Sequence, residues 1–185
     1  FYDYSGDHLP RKWIERMKNS MASIGPVFNT NRMVIDYVSD AYAPSVERLP
    51  HLSADGFARS RGLAEWRKRL VAAWPAVRVV RVAETTSLDL HVGDELGVRA
   101  EVDLGGLTPQ DVTVELYAGG MGFDEQLTNV ERAEMRPESP NGGTLFEFVG
   151  AMPCRRSGRH GFTVRILPRH EDLITPYEPH LIVWA

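Results

Sequence analysis

Cysteine is nearly absent from this 185-residue chain, and lysine is scarce. The single Cys154 has no partner for an internal disulfide, so an oxidising compartment is not indicated. The three lysines, Lys12, Lys18 and Lys68, each lie in an amphipathic helical pattern. A lysine that forms a Schiff base needs a desolvated pocket, and nothing in the pattern supplies one. No cofactor is therefore predicted within this chain.

Long apolar runs are also absent. No stretch approaches the roughly 20 apolar residues of a membrane-spanning helix, so no membrane partner is expected. The chain opens at Phe1 without Met, a basic segment or an apolar signal core. We therefore expect the chain to begin inside a longer polypeptide and to be cytoplasmic.

Motifs for catalysis or metal binding are missing as well. The six histidines are widely spaced and never lie four residues apart on a helix, so no metal site is predicted. There is no Gly-x-Ser-x-Gly elbow, and the glycine-rich segment 118–122 lacks the Lys-Ser/Thr ending of a phosphate-binding loop. No catalytic residue is predicted.

Charge differs between the two halves. Residues 1–76 carry 11 Lys and Arg against 8 Asp and Glu, whereas residues 77–185 carry 10 against 17. An acidic second half repels phosphate backbones, so no nucleic-acid partner is expected there.

The first 76 residues have a helical period. The first predicted helix starts at Leu9-Pro10 and stops at Gly25-Pro26. The second is capped by Asn29 or Thr30 and ended by Pro44, and the third runs from about Ser53 to Trp74. The apolar face of the third helix is expected to hold Leu63, Trp66, Leu70, Val71 and Trp74.

From Val77 the period changes to two. Apolar residues alternate with polar ones at 96–104, 112–116 and 162–166, with shorter runs at 77–83, 87–92, 144–149 and 180–185. Glycine-rich turns lie between them. The fold class is therefore predicted as α+β: an N-terminal helical segment of about three helices (1–76), followed by an antiparallel immunoglobulin-like β-sandwich (77–185).

Two aromatic residues are candidates for substrate binding. Tyr117 lies opposite the face of Val112, Val114 and Leu116, and Trp184 shares a face with Ile182 in the last strand. An exposed platform of Tyr117 and Trp184 would stack on pyranose rings. The alternative is that Trp184 packs against the helical half.

The helical segment resembles the closing helices of the α-glucan phosphorylase family. The resemblance rests on residues 13–20, on residues 25–33 with Phe28 and Arg32 in a Phe-x-x-x-Arg spacing, and on Tyr37. The Gly-Pro-x-Phe-Asn-Thr-x-Arg-Met form is similar to the bacterial and archaeal branch. The β half, at 92–94, 107–112 and 158–162, looks like the C-terminal extension of that branch.

The resemblance implies a parent enzyme that cleaves α-1,4-glucan with phosphate and releases glucose 1-phosphate. It implies pyridoxal phosphate on a lysine upstream of this chain, and no catalytic residue is carried over to it. Residues 1–76 would be closing helices of the parent's C-terminal catalytic lobe, and residues 77–185 a β extension. The expected role is a non-catalytic structural clasp whose partner is the upstream part of the parent. Alternatives are a module that binds α-glucan, an oligomerisation domain forming a homo-oligomer, and a self-contained enzyme.

Overall fold

The computed structural model describes residues 8–86 and 89–185, with the backbone alone for residues 139–142. The chain divides into two compact units, which we call unit 1 (Phe1–Arg59) and unit 2 (Ser60–Ala185). The architecture is α+β, with helices followed by two antiparallel sheets. The predicted domain boundary after residue 76 stays a prediction.

Unit 1 begins with helix α1 (Arg11–Ile24), followed by α2 (Thr30–Tyr37). Of the two predicted caps of α2, Asn29 and Thr30, the structure has Asn29: its side-chain oxygen accepts a hydrogen bond from the backbone N–H of Arg32 at 2.9 Å. The cap leaves Phe28 just before the helix, with the Arg32 guanidinium 5.7 Å from the centre of its ring. The Phe-x-x-x-Arg spacing is thus one local cation–π contact across a helix start.

The predicted count of about three helices is wrong. Helical backbone continues from α2 through a π-helical turn, Val38–Tyr42, into α3 (Ala43–Ala73), so one long helical region follows α1. Pro44 does not end it, because it is the second residue of α3, where a missing N–H is tolerated. In the π-helical turn just before α3, the Ala43 N–H donates to the carbonyl of Val38, five residues earlier, so this turn is wider than an α-helical turn. Inside α3 the backbone of Ala54 to Phe57 leaves the helical conformation.

The described residues of unit 2 form eight strands in two four-stranded sheets. Sheet A has the order β1-β2-β6-β5 and sheet B the order β4-β3-β7-β8, all neighbours being antiparallel. Their bounds are β1 Arg78–Glu84, β2 Glu95–Asp103, β3 Val112–Met121, β4 Leu127–Glu134, β5 Arg136–Gly142, β6 Leu145–Pro153, β7 His160–Pro168 and β8 Val183–Trp184. Of the predicted strand 87–92, residues 87–88 lie outside the described residues, and 89–92 form no strand.

Both sheets contribute to one buried apolar core, and the predicted inward rows are present in β2, β3 and β7. In β7 the other face is not exposed as predicted, because every residue from Val164 to Pro168 is buried. The core includes Val98, Ala100 and Val102 of sheet A and Val114, Leu116, Val164 and Ile166 of sheet B. Trp66 and Leu70 of α3 join this core, as does Trp74 in the short 3-10 turn after α3, but Val71 does not: it is 53% exposed.

The helix meets the sheets at the end where β2 finishes and β3 begins. Here Gly105 has a φ of +61°, and a Cβ at this position would lie 2.8 Å from the Cβ of Ala76 and 2.9 Å from the Ala73 carbonyl. Only glycine fits this turn without displacing backbone. We call this end the closed end, and the opposite end, where β3 and β6 finish and β7 begins, the open end.

Candidate functional site

The most concentrated side-chain chemistry on the sheets surrounds Arg165, in the middle of β7. The core-facing residues of this strand are Phe162, Val164 and Ile166, so Arg165 points to the other face of sheet B. There it pairs in register with Glu115 of β3 and Trp184 of β8. Although it lies on an outer face, Arg165 is only 5% exposed.

Two hydrogen bonds hold the buried guanidinium. Its Nε donates to Glu115 Oε2 at 2.6 Å, and its Nη2 donates to the Tyr177 hydroxyl at 3.2 Å. Burial opposes the positive charge of Arg165, but the hydrogen bond and charge of Glu115, aided by Tyr177, raise the arginine pKa above its ordinary value. The cation is therefore permanent and compensated where it lies.

Three aromatic rings surround this cation. The guanidinium carbon lies 5.0 Å from the ring centre of Tyr117, 5.5 Å from that of Trp184 and 5.9 Å from that of Tyr177. We call these four residues the arginine cage. Contacts of this kind add attraction between a cation and the faces of aromatic rings. The cage thus ties Tyr177 and Trp184, near the end of the chain, to the middle of sheet B.

The structure brings the two predicted sugar-binding residues together. The ring centres of Tyr117 and Trp184 are 5.1 Å apart, with the ring planes at 85°. They therefore meet edge to face and do not form one flat surface. Trp184 keeps 45% of its surface exposed. Sugar binding by this pair stays a prediction.

The sequence pattern does not reveal Arg165 and Tyr177 of the cage, or Glu115, which pairs with the arginine. Arg165 and Glu115 occupy alternate positions of β7 and β3, where the pattern predicts a solvent-facing side, and Tyr177 lies in the segment 169–182, between β7 and β8. The available signal was a lone Arg within the apolar run of Phe162 to Leu167. A charge in such a run usually needs a partner, but the pattern does not identify that partner.

A second polar network lies at the closed end. The Trp66 indole N–H donates to Asp111 Oδ1 at 2.8 Å, while Asp111 Oδ2 accepts from the Thr108 backbone at 2.9 Å and from its hydroxyl at 2.7 Å. Burial would raise the pKa of Asp111, but the hydrogen bonds from Thr108 and Trp66 outweigh it and lower that pKa. This carboxylate anchors the helix to the sheets.

The described residues offer little for cofactor or metal chemistry. They contain no group of three or more His, Cys, Asp or Glu side chains that could hold a metal ion. Lys12, Lys18 and Lys68 are all exposed, and the hydrogen bond from Lys68 to Glu65 raises the pKa of that amine. A protonated, solvated amine does not fit a lysine that binds pyridoxal phosphate. No helix within 8–86 and 89–185 is long and apolar enough to cross a membrane.

Fold and site together describe an α+β protein: a helical segment and two antiparallel sheets, with polar clusters whose charges are compensated within unit 2. The glycogen phosphorylase C-terminal domain family matches residues 74–185, and the chain belongs to this family.

Two curated relatives extend the similarity beyond the matched domain. Glycogen phosphorylase of Mycobacterium tuberculosis is 32% identical over 186 aligned residues, which cover 100% of this chain and 22% of that protein. Maltodextrin phosphorylase of Thermococcus litoralis is 30% identical over 181 residues, covering 94% of this chain and 20% of that protein. The chain thus spans about a fifth of the length of these relatives.

Among solved structures, Pseudomonas fluorescens alkylpurine DNA glycosylase AlkC bound to DNA containing an abasic site analog matches with a TM-score of 0.34 and 12% identity. The match covers 50% of this chain and 27% of that one. A likeness this weak has no bearing on fold or function.

Proposed function

We propose that this chain is a non-catalytic C-terminal part of an α-glucan phosphorylase, in which unit 1 acts as a structural clasp on the preceding part of the enzyme. The observation that carries the proposal is the apolar surface of unit 1. None of the residues of α1 and α2 is buried. Met21 is 68% exposed and Phe28 is 73% exposed.

The exposed apolar residues of unit 1 are too many for an isolated surface. They include Met17, Met21, Ile24, Val27, Phe28, Met33, Val34, Ile35, Tyr37, Val38, Tyr42, Val46 and Leu49. Large contiguous apolar patches on soluble proteins mark interaction sites. The proposed occupant is the part of the same polypeptide that precedes this chain. The 22% coverage of the mycobacterial relative supports this choice, because most of an enzyme of that length would lie outside the chain.

The test compares the same substitutions in two contexts. Ile24→Ser and Phe28→Ser are made in the full-length parent and in the 185-residue chain, and thermal unfolding is followed by calorimetry. Each substitution is expected to lower the stability of the parent by about 1–3 kcal/mol, since a buried apolar side chain is lost there. In the 185-residue chain the change is expected to stay within about 0.5 kcal/mol.

The matched control is Val71→Ser, an exposed apolar position in unit 2. It is expected to change little in either context. The clasp proposal is contradicted if the parent's thermal midpoint stays unchanged after truncation before Leu9 or after the paired substitutions.

The reaction proposed for the parent is phosphorolysis of α-1,4-glucan to glucose 1-phosphate, in the cytoplasm. Pyridoxal phosphate would belong to the parent's upstream residues, since the lysines here are exposed and do not fit it. When bound there, the cofactor supplies a phosphate group for acid–base chemistry. The fragment alone is expected to be inactive.

We also propose that unit 2 is an immunoglobulin-like sandwich. If the strands are lettered A to G along the chain, with β4 as C′, sheet A has the order A-B-E-D and sheet B the order C′-C-F-G. These are the orders of immunoglobulin-type domains, and the chain crosses from one sheet to the other between B and C, between C′ and D, and between E and F.

A second candidate function is binding of α-glucan, and the exposed face of Trp184 favours it. Maltoheptaose would be titrated into the 185-residue chain while amide NMR shifts are followed. Glucan binding predicts saturable shifts around Trp184 that are lost in Trp184→Ala and kept in Phe123→Ala, which removes an exposed aromatic ring elsewhere. A clasp without sugar binding predicts no saturable shift at millimolar ligand, which is the outcome we expect.

A further inference from the structure

The open end of unit 2 contains a cavity that neither the arginine cage nor the clasp uses. Its volume is about 460 Å³, within the range of about 300–1,000 Å³ typical of small-molecule sites. It is lined by the ends of β2, β3, β6 and β7, by Asn129 and Glu131 of β4, by the turn at 90–92, and by the loop between β6 and β7. The cavity and the closed end are at opposite ends of the two sheets. At the closed end the helix packs between the strand ends, whereas at the open end the cavity remains.

The floor of the cavity is apolar. Leu96, Met152 and Phe162, all core-facing residues, contribute to it. Along β3 the inward residues are Val112, Val114 and Leu116, and then the row ends with the much smaller Ala118. Because the Ala118 side chain is small, it leaves empty the space that the larger inward side chains fill further back along β3. An occupant would therefore need an apolar body about the size of a ring.

The rim of the cavity is basic. The loop between β6 and β7 contains Arg155, Arg156 and Arg159 and no acidic residue, and the first two line the cavity. Arg155 is 3.8 Å from Glu131, which is the acidic residue of the lining. His91 and His160 add imidazole nitrogens to the rim. The rim thus offers several donors to an anionic group.

This rim is held in place by backbone hydrogen bonds to both sheets. On the side of sheet A, the Cys154 N–H donates to the Asp94 carbonyl at 2.8 Å, and the Gly93 N–H donates to the Cys154 carbonyl at 2.9 Å. On the side of sheet B, the Met121 N–H donates to the Arg159 carbonyl at 2.9 Å. Backbone hydrogen bonds therefore fix both ends of the loop between β6 and β7 at the open end. A preformed site loses less entropy on binding than a mobile one.

We propose that the open-end cavity binds a small organic anion with an apolar body, its ring on the Leu96, Met152 and Phe162 floor and its anionic group at Arg155 and Arg156. The apolar floor and the basic rim are both needed for this choice. A neutral sugar would not use the positive charge of the rim, where Arg155 and Arg156 face the one carboxylate of Glu131, and a bare anion would leave the floor in contact with water. The proposal does not depend on the clasp, because every lining residue belongs to unit 2.

The test uses phenyl phosphate as the probe, titrated into the 185-residue chain and followed by calorimetry and amide NMR shifts. Saturable binding is expected with a Kd on the order of 1 mM, with shifts at the lining residues. Inorganic phosphate and phenol, which carry the anion alone and the ring alone, are expected to bind at least about tenfold more weakly. Phenylacetate in a parallel titration distinguishes a carboxylate from a phosphate as the preferred group.

The matched variants are Arg156→Gln and Arg159→Gln, which remove the same charge from the same exposed loop. Arg156 lines the cavity and Arg159 does not. Arg156→Gln is expected to raise the Kd of phenyl phosphate about three- to tenfold, while Arg159→Gln leaves it within about twofold. No saturable binding up to about 10 mM of either organic anion, equal weakening by both variants, or equal affinity for phenol would overturn the proposal.

Discussion

Helix α1 and the last part of α3 have the same pattern but differ in burial. Each carries a tryptophan on an apolar face, yet Trp13 is 42% exposed and Trp66 is 4% exposed. In unit 2 the helix face meets two sheets of the same chain, and the Trp66 indole also finds the Asp111 carboxylate. An amphipathic pattern thus indicates that a face needs burial, but not where its partner lies.

The largest expected effect concerns neighbouring residues of α3. Leu70→Ala, at a position that is fully buried, should lower the free energy of unfolding of unit 2 by about 2–5 kcal/mol, because it removes apolar contacts and leaves a cavity. Val71→Ala, one residue further on and exposed, should change it by less than about 0.5 kcal/mol. Urea unfolding followed by tryptophan fluorescence measures both. Equal effects would mean that this helix is not seated on the core.

An intermediate effect is expected on acid sensitivity. The pKa of Asp111 is lowered in the folded state, so its contribution is present above the unfolded pKa of about 3.9 and is lost as pH falls through the folded value. Asp111→Asn should cost about 1.5 kcal/mol at pH 7 and flatten the decline of stability below about pH 4. Urea unfolding at several pH values measures this.

The control for that experiment is Asp40→Asn, an exposed carboxylate of unit 1. This substitution should leave the pH dependence of the free energy of unfolding of unit 2 unchanged. If the free energy of unfolding of unit 2 falls as steeply below pH 4 in Asp111→Asn as in the unsubstituted 185-residue chain, the Trp66–Asp111 hydrogen bond does not contribute to acid sensitivity.

The smallest effect is expected in unit 1. Asn29→Ala removes the cap of α2 and should weaken that helix by about 0.5–1 kcal/mol, seen as faster amide exchange over residues 30–37. Asn31→Ala, in the same segment but without the capping bond, should not do so. The unfolding of unit 2 should be the same in both variants. A shift of the unit 2 transition in Asn29→Ala would show that the two units do not unfold independently.

Strands with one buried face could be predicted from the sequence, and the edge strands β4 and β5 could not. In β2 the inward row from Leu96 to Val102 alternates with polar residues because one face is buried. In contrast β4 has few apolar residues, and β5 contains Pro137 and Pro140. These two are strands because β3 and β6 offer hydrogen-bonding partners, which a local pattern does not reveal.

The prediction of about three helices was wrong for a related reason. Pro44 predicted a stop, but a proline in the first turn of a helix costs no hydrogen bond, and the π-helical turn before it adjusts the backbone. Whether a proline ends one helix or begins the next depends on the hydrogen bonds of the preceding turn. Those bonds are a property of the folded chain.

The candidate site shows the same division. Aromatic character and strand alternation together predict Tyr117 and Trp184 as a pair, and they are neighbours in the structure. The pattern does not predict Arg165, whose guanidinium contacts both rings, because a charged residue on an alternate strand position is usually solvated. Its burial follows from the register that places Glu115 and Trp184 on either side of it.

The sequence by itself determined the α+β class, the inward rows of β2, β3 and β7, a cap of α2 at Asn29 or Thr30, and the resemblance to the phosphorylase family. Each depends on residues close together in the chain, where periodicity and capping act. Only the tertiary structure decided which helix face is buried, which strands form the edges, what surrounds Arg165 and where a cavity remains. Each of these depends on residues far apart in sequence, whose contacts arise only when two sheets and a helix share one core.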